Sequence, residues 1–335
     1  MKTVLITGAG GEMGHSLLEA FHKAGNVRVV GMDLHPLNES VADYVTEFIQ
    51  GDITAPSVLG QLEVFDYDEV YHLAALLSTS AERNPELAHH VNVDGTMNLL
   101  SMTRRIGVRT GKNVKFLFPS TIAVYGLPNI VVKNSATPVL EDEFLNPITM
   151  YGVNKLYCEN LGAYMSDRYG QLTGADPSRG VDFRALRFPG LISATTIPSG
   201  GTSDYAPEMI HAAALGKSYE CFVRDDTRIP FMAMPDGVKA LLTLAQAPLQ
   251  SLRRRVYNIN AFSPTASEIA GMVQESFPDA QITYKPHEIR QRIVDSWCAE
   301  VNDTAARADW GWMPDYDFRR TFSDYLVPTI SSVYA

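Results

Sequence analysis

The sequence predicts an α/β fold in which a doubly wound parallel sheet is followed by a smaller C-terminal lobe. Short, fully apolar runs alternate with helical periodicity through residues 3–120. A glycine-rich turn follows the first of these runs, and polar residues stand at the ends of several others. Fully apolar runs are typical of strands that lie between two layers of helices, and ligands then bind at the carboxyl ends of those strands.

The bulk properties exclude several classes of partner. The chain has 335 residues and a net charge of −10 at pH 7, which suits a large core and argues against binding to nucleic acid or to an anionic membrane. The basic run at residues 253–255 is expected to be a solvated surface. No run of about 18 apolar residues is present, so no membrane span is predicted. Because the first strand is predicted from Thr3, no leader peptide is expected in the chain as given.

The cysteines and histidines predict neither disulfides nor a metal site. The cysteines are odd in number and far apart, which fits a reducing compartment, and we expect a cytoplasmic protein. The pair His89–His90 has no cysteine or carboxylate set at ligand spacing. The three cysteines are Cys158, Cys221 and Cys298.

The first strand, turn and helix predict a dinucleotide site. An apolar run at residues 4–6 leads into glycines at GxxGxxG spacing, and apolar residues with helical period follow. Glycines there let the backbone approach a pyrophosphate, and the helix N-terminus supplies unpaired N–H groups and a positive dipole. Because a strand precedes the turn and a helix follows it, the motif indicates a Rossmann fold. The residues assigned to the cofactor here are Gly8, Gly11, Glu12, Met13 and Gly14.

The second strand predicts which dinucleotide binds. The run at residues 27–33 ends at Asp33, about 20 residues past the glycines, where a carboxylate can accept hydrogen bonds from the adenosine ribose. That carboxylate repels a 2′-phosphate, and neither Leu34 nor His35 offers a reliable positive charge. The sequence therefore predicts NAD rather than NADP. The alternative for Asp33 is a residue that merely ends a strand.

The following strand ends extend the predicted cofactor site. After "QGDI" a side chain could meet the adenine, and the run "EVYHLAALLS" at residues 69–78 is predicted as a buried strand whose small residues allow close approach to the cofactor. The residues assigned to the cofactor at these positions are Asp52, Ile53, Leu73, Ala74 and Ala75, and Asn92, further along the chain, is assigned to it as well.

A tyrosine and a lysine four residues apart predict the reaction centre. On a helix, Tyr151 and Lys155 share one face. Tyrosine is a poor base at its ordinary pKa of about 10, and a neighbouring ammonium would lower that pKa and make Tyr151 usable near neutral pH. Upstream, the run "FLFPSTIAVYG" is a predicted strand that ends in hydroxyls, so that Ser120 or Thr121 could hydrogen-bond the oxygen being oxidised. The alternative for the pair is a helix surface without chemistry.

These motifs occur together in the first 190 residues, and the chain resembles the extended short-chain dehydrogenase/reductase superfamily. The resemblance implies that Thr121 is the hydroxyl of the reaction centre, that Tyr151 transfers the proton, and that Lys155 tunes Tyr151 and holds the nicotinamide ribose. The superfamily also contains sugar-nucleotide epimerases and dehydratases. Ile122 and Ala123 stand where such dehydratases carry an acidic pair, which argues against dehydration.

The second half resembles the short-chain-type L-threonine 3-dehydrogenases. The segments "LRFPGLISATTIPSGGTSDYA", "RIPFMAMPDGVKALL", "DSW" and "ARADWGW" carry this resemblance. It implies oxidation of L-threonine at C3 by NAD to 2-amino-3-oxobutyrate, in threonine catabolism. It also implies a set of substrate-binding residues besides Thr121 and Tyr151, namely Ser78, Gly201, Thr202, Ser203 and Trp297.

The glycine-rich loop suits a small zwitterion, which needs N–H or hydroxyl donors for its carboxylate and acceptors for its ammonium. The alternative is an N-capping turn with Ser203 or Asp204 as the cap. We expect Asp204 to be structural and the preceding hydroxyls to face the substrate. Ser203 stands where the family usually has Thr, which keeps the hydroxyl and loses a methyl. Trp310 and Trp312 are predicted to be core.

The predicted domains are a cofactor domain of residues 1–188 and 229–260 and a substrate lobe of residues 189–228 and 261–335. The resemblance also implies a homodimer, which is expected through helices at 82–107 and 151–169. Within residues 169–183, about ten residues are predicted to be an exposed loop insertion. Two other functions stay open: a UDP-sugar 4-epimerase, which would give no net NADH, and a non-catalytic NAD sensor, which usually loses the Tyr or the Lys.

Overall fold

The computed structural model of the chain describes residues 1–176, 180–195 and 201–334. Its strands are β1 Lys2–Thr7, β2 Val27–Asp33, β3 Glu47–Gln50, β4 Glu69–His72, β5 Val114–Thr121, β6 Val181–Phe188, β7 Gly190–Ile192, β8 Tyr219–Cys221, β9 Phe231–Ala233, β10 Val256–Asn258 and β11 Ile282–Tyr284.

Its α-helices are α1 Glu12–Ala24, α2 Glu39–Ala42, α3 Pro56–Leu62, α4 Ser78–Arg83, α5 Pro85–His89, α6 Gly95–Thr110, α7 Ile130–Ser135, α8 Met150–Asp167, α9 Tyr205–Ala214, α10 Met234–Gln246, α11 Ala266–Ser276, α12 Glu288–Ser296, α13 Thr304–Trp310, α14 Phe318–Arg320 and α15 Val327–Tyr334. The segments His90–Asp94 and Thr321–Leu326 are π-helical, and Ile122–Val124 and Leu249–Ser251 form 3₁₀ turns.

The central sheet confirms the predicted fold class. Within the described residues it has seven strands in the order β10-β6-β5-β4-β1-β2-β3, and all neighbours pair in parallel. This is the strand order of a doubly wound dinucleotide-binding sheet with one further strand. The order reverses between β1 and β4, so the carboxyl ends of these two strands border the crevice in which a ligand binds. Two smaller pairs, β7 with β9 and β8 with β11, lie outside this sheet.

Three clusters of apolar side chains form the core. One lies on the sheet face covered by α1 and α10, and it includes Trp310 and Trp312, as predicted. A second lies on the opposite face beneath α6 and α8. The third joins the 3₁₀ turn after β5 to α9, α11 and the C-terminal helices. The predicted division into two domains stays a prediction.

The strand predicted for residues 69–78 is shorter than expected. β4 ends at His72, and Ser78 begins a helix instead of ending a strand. Leu73 still donates to Thr7 O at 3.0 Å. Beyond it, the side chain of Asn92 binds both backbone groups of Leu76, accepting from its N–H at 2.8 Å and donating to its carbonyl at 3.0 Å. The chain leaves the sheet because this amide replaces a neighbouring strand.

The basic run at residues 253–255 is more than the solvated surface predicted for it. Each arginine forms ion pairs just before the edge strand β10, and several of the partner carboxylates are buried. The run therefore fixes the end of the sheet. The pairs are Arg253 with Asp309 at 2.6 Å, Arg254 with Glu141 at 2.8 Å, and Arg255 with Asp167 at 2.6 Å and Asp182 at 3.0 Å.

Three sequence-based expectations concern features away from the sheet. The three cysteines are buried, and none of them forms a disulfide. Among the described residues, no helix combines the length and apolar character that crossing a membrane requires, and no cluster of ligand-type side chains is placed to hold a metal. Of the predicted insertion, residues 171–174 are exposed, β6 begins at Val181, and residues 177–179 lie outside the described chain.

Candidate active site

The glycine turn after β1 is shaped by close backbone contact. Gly8 has a φ of +70°, and a Cβ there would lie 2.6 Å from Ala74 N. Only glycine fits, and Ala74 is thereby held directly beside the turn. The close approach of Ala74 and Ala75 to the cofactor stays a prediction. Gly11 is the N-cap of α1 and has no side chain with which to cap the first N–H groups of that helix. These groups are available to an anion such as a pyrophosphate.

The predicted ribose acceptor lies at the same turn. Asp33 ends β2, and its carboxylate accepts from Gly10 N at 2.9 Å and from His35 N at 3.1 Å. A carboxylate held at the edge of the glycine turn suits hydrogen bonds from the hydroxyls of an adenosine ribose. The turn and this strand end together fit NAD.

The two residues predicted to contact the adenine differ in environment. Asp52 is exposed and accepts from Thr54 N at 2.8 Å and from Thr54 Oγ1 at 2.7 Å. These hydrogen bonds hold the pKa of Asp52 below its usual value. Ile53 is buried and packs against Gly95, where a Cβ would come within 3.0 Å of Ile53 Cγ2. Their contacts with a cofactor stay a prediction.

A buried hydrogen-bonded chain, missed in the sequence, supports the cofactor crevice. His72 Nδ1 lies 2.8 Å from Thr7 Oγ1, and its Nε2 lies 2.9 Å from Thr96 Oγ1. Burial lowers the pKa of His72 to about 3, so the ring is neutral. Thr96 donates onward to Asn92 O at 2.5 Å. The chain ties the ends of β1 and β4 to the π-helical turn, and the only signal for it was the polar histidine in an apolar strand.

Of the two hydroxyls left open at the end of β5, the structure favours Thr121. Ser120 is buried and donates to Glu159 Oε1 at 2.5 Å. That carboxylate also accepts two hydrogen bonds from Arg187, at 2.9 and 2.7 Å. The hydroxyl of Ser120 is thus committed to a structural network. Thr121 accepts from Ala123 N at 3.1 Å and keeps its own O–H to donate.

The start of α8, which carries Tyr151, is brought to the turn after Thr121 by a second close approach. Thr149 caps α8 by accepting from Gly152 N at 3.1 Å. A Cβ on Gly152 would lie 2.1 Å from Ala123 O, so α8 packs directly on the 3₁₀ turn that follows Thr121. The glycine immediately after the tyrosine is therefore part of the motif's geometry. The spacing of the tyrosine and the lysine alone does not predict this role of Gly152.

The electrostatics of the pair differ from the prediction. Lys155 Nζ donates to Pro119 O at 2.7 Å and lies 5.7 Å from the centroid of the Tyr151 ring. Burial raises the pKa of Tyr151 and lowers that of Lys155 to about 8. The predicted lowering of the Tyr151 pKa by Lys155 is wrong for this arrangement, because burial outweighs an ammonium that is engaged elsewhere.

The predicted substrate residues come from three segments, and the structure joins two of them. Thr202 Oγ1 donates to Ser78 Oγ at 3.2 Å across 124 residues of sequence. Ser78 is the first residue of α4. One turn further along α4, Glu82 accepts from Met150 N at 2.6 Å, beside Tyr151. The hydroxyl pair is thus held beside the helix of the reaction centre by a contact that the sequence did not predict.

The glycine-rich loop is closed by its own aspartate. Gly201 N donates to the carboxylate of Asp204, and Asp204 N donates to Gly201 O at 3.3 Å. Asp204 stands at the N-cap of α9, but its carboxylate binds the loop and not the first turn of the helix. This agrees with the structural role expected for Asp204. Ser203 is half-buried, and residues 196–200, just before this loop, lie outside the described chain.

Trp297 ends α12 and is buried at 5% exposure in the third core cluster. Two contacts fix this end of α12: Lys133 Nζ donates to Val294 O at 2.9 Å, and Leu127 N donates to Ser296 O at 2.8 Å. The contact predicted between Trp297 and a substrate stays a prediction.

A cavity of about 630 Å³ lies between residues 126–129 and α12. Of the described residues that line it, none is Thr121, Tyr151 or Lys155. The residues predicted for the reaction centre lie instead at the carboxyl end of β5 and on α8, which packs against both β5 and α4. This is the position that a doubly wound sheet gives to its ligand.

The fold and this crevice define an NAD-dependent oxidoreductase. The model of the NAD dependent epimerase/dehydratase family matches residues 4–260, and the chain belongs to this family. NAD is its cofactor, in agreement with the prediction, and the glycine turn and Asp33 fit it.

Several known proteins are similar to this chain over nearly its whole length. The mitochondrial L-threonine 3-dehydrogenase of Bos taurus is 37% identical over 318 residues, which cover 94% of this chain and 79% of that protein. An uncharacterized epimerase/dehydratase of Staphylococcus saprophyticus is 34% identical, covering 95% and 93%. The solved structure of a monomeric L-threonine 3-dehydrogenase of metagenomic origin, in its apo form, has a TM-score of 0.85 and 35% identity, covering 99% and 100%.

Proposed function

We propose that the protein oxidises L-threonine at C3 with NAD, giving 2-amino-3-oxobutyrate, NADH and a proton. The observation that carries the proposal is the hydroxyl pair of Thr202 and Ser78, 3.2 Å apart and held beside the helix of Tyr151. A pair of hydroxyls next to the proton-transfer residue suits a small polar substrate. The resemblance to L-threonine 3-dehydrogenases supports the same substrate.

The loop and the hydroxyl pair recognise the amino-acid end of the substrate. Its carboxylate needs donors, which the hydroxyls of Ser78 and Ser203 supply, while Thr202 orients Ser78. The N-terminal dipole of α9, which directly follows the loop, also favours an anion. Trp297, at the end of α12, closes the apolar side of the substrate.

The residues at the strand end act on the substrate hydroxyl. Thr121 donates to the C3 oxygen and fixes its position. Tyr151 takes the proton from that oxygen, and Lys155 places positive charge near the phenol as well as binding the nicotinamide ribose. Bound NAD would supply the hydride acceptor for C3, and the positive charge of its oxidised ring would favour the phenolate. Because burial raises the pKa of Tyr151, that charge and Lys155 act against the burial.

The test is NADH absorbance with purified protein, NAD and L-threonine. We expect NADH to accumulate in proportion to threonine consumed, and Tyr151→Phe to abolish it while NAD still binds. A UDP-sugar 4-epimerase returns the hydride to its product and gives no net NADH. An NAD sensor binds NAD but oxidises nothing. The absence of threonine-dependent NADH in the wild type would therefore refute the proposal.

A homodimer through two helices fits the surface. Apolar side chains are exposed along one stripe of α8, where Tyr157 is 54% exposed. The stripe continues onto the neighbouring helices α5 and α6, and α6 packs against α8. A second copy would cover this surface with the same stripe. The stripe consists of Leu87, Met97, Val153, Tyr157 and Tyr164.

Light scattering tests the dimer. We expect twice the monomer mass for the wild type and the monomer mass for Tyr157→Glu. A monomeric wild type would contradict the dimer, and the metagenomic relative is itself described as monomeric. We propose that the protein acts in threonine breakdown in the cytoplasm. Its three buried cysteines form no disulfide, which fits a reducing compartment.

A further inference from the structure

An arginine of α12 holds the glycine-rich loop. Arg290 Nη2 donates to Gly201 O. The guanidinium carbon lies 3.3 Å from the centroid of the Phe222 ring, so the planar group is stacked and its direction is fixed. A stacked guanidinium is a preorganised donor, because its plane is fixed before it binds an acceptor. Arg290 was not among the residues predicted from the sequence.

Gly201 is thereby held on both backbone groups. Its N–H donates to Asp204, and its carbonyl accepts from Arg290 and, at 3.3 Å, from Asp204 N. The next residue is Thr202, which donates to Ser78. Arg290 therefore acts one residue away from the hydroxyl pair that carries the proposed function.

The surrounding charges favour a positioning role over direct binding of a carboxylate. Burial raises the pKa of Glu208, and the nearby positive charge of Arg290 opposes that rise. Glu208 accepts from Tyr219 at 2.7 Å, and Asp204 lies close enough to act on Glu208 in the opposite sense to Arg290. One cation thus stands among two carboxylates of the protein. A substrate carboxylate would have to compete with both of these groups for Arg290.

The same helix also carries Trp297. Trp297 is the C-cap residue of α12, directly after the last helical residue Ser296. The C-terminal end of α12 is fixed by Lys133 and by Leu127. A single anchored helix therefore sets both the loop and the tryptophan.

We propose that Arg290 is a positioning residue that sets the substrate loop through the carbonyl of Gly201 and so determines the affinity for the amino-acid substrate. The inference rests on the proposed function. Arg290→Met removes the charge and the donors and keeps a long side chain against Phe222, whereas Arg290→Lys keeps the charge and one donor. The matched control is Arg292→Met, which removes the same charge from an exposed residue of the same helix.

Steady-state kinetics with L-threonine and titration with NAD give the first readout. A hydrogen bond from a charged donor is worth a factor of about 10 to 150, and we expect kcat/KM of Arg290→Met to fall by that factor, mostly through KM. The Kd for NAD should stay within about twofold, since Arg290 contacts the loop and not the cofactor crevice. Arg290→Lys should lie between wild type and Met, and Arg292→Met should match wild type. An unchanged kcat/KM in Arg290→Met would overturn the inference.

Hydrogen exchange of the amides of Gly201 and Asp204 gives a second readout that needs no turnover. We expect faster exchange in Arg290→Met than in Arg292→Met. Equal exchange in the two variants would show that Arg290 does not hold the loop and would overturn the inference on its own. A wild type that forms no NADH from threonine, with the exchange difference present, would refute the proposed function instead.

Discussion

The hydroxyl pair that joins the loop to α4 allows a sharp test of the site. Thr202→Val replaces a hydroxyl by a methyl of the same shape, and Ser78→Ala removes the acceptor of its hydrogen bond. Since Thr202 donates to Ser78, the proton of the Ser78 hydroxyl is free to point at the substrate. We expect Ser78 to contact the substrate carboxylate and Thr202 to act largely by orienting Ser78.

This direction fixes the expected magnitudes. Loss of a hydrogen bond to a charged group costs about 1.5–3 kcal/mol, so Ser78→Ala should lower kcat/KM for L-threonine by about 10- to 150-fold. A hydrogen bond between two neutral hydroxyls is worth about 0.5–1.5 kcal/mol, so Thr202→Val should lower it by about 2- to 13-fold. The double variant should be close to Ser78→Ala alone, because Thr202 has nothing left to orient. The coupling energy should then equal the effect of Thr202→Val.

The assay is initial NADH formation for the four proteins of this cycle, with Thr202→Ser as the control that keeps a hydroxyl. The melting temperature and the Kd for NAD are measured on each protein, so that a folding defect is separated from a defect in substrate binding. Additive losses in the double variant would refute the reasoning, since the two hydroxyls would then act independently.

Four further outcomes follow from the site. Lys155→Met should move the rising limb of the pH–rate profile to higher pH, since a cation that favours the phenolate is lost; an unshifted limb would contradict this. Asp33→Ala should move the ratio of kcat/KM for NAD and NADP toward NADP, and an unmoved ratio would show that Asp33 does not bind the ribose. Ser203→Ala should lower kcat/KM for L-threonine by about 10- to 150-fold while Ser203→Thr retains activity, whereas a fall in melting temperature alone would show a helix cap. In the folded protein the pKa of His72 is lowered to about 3, so the ring stays neutral. Below about pH 6.5 the unfolded chain binds a proton at His72 that the folded protein does not, so the free energy of unfolding decreases as the pH is lowered. His72→Asn should lessen that loss by about 2 kcal/mol between pH 6.5 and 5, measured by urea unfolding, and an equal loss in both proteins would refute the neutral ring.

The sheet and the ends of its strands could be predicted because they depend on local pattern. Short segments of sequence are enough to recognise the apolar runs, the glycine turn and Asp33 at a strand end. The structure places these features as expected. The end of β4 could not be predicted, because it depends on the amide of Asn92, which binds Leu76 from 16 residues away. The hydrophobic pattern of a sequence indicates which residues are buried, but it does not indicate which group forms the hydrogen bonds that the buried backbone needs.

The choice between hydroxyls and the state of the tyrosine were also beyond the sequence. Ser120 and Thr121 are adjacent, and only the position of Glu159, 39 residues from Ser120, commits one of them to a structural network. The four-residue spacing of Tyr151 and Lys155 is correct, but spacing does not show how deeply the phenol is buried or where the ammonium donates. Depth of burial is a property of the whole packed chain, and it decided the direction of the pKa.

The two outermost strands of the sheet affect how copies of the protein meet in solution. An edge strand exposes backbone groups to which a strand of another molecule can add, and such addition leads to fibres. Here both edges are short: β3 has four residues and β10 has three. Glu47 opens β3, and the arginines at residues 253–255 precede β10. Short, charged edges disfavour edge-to-edge growth, so the folded protein should stay free of fibres at high concentration.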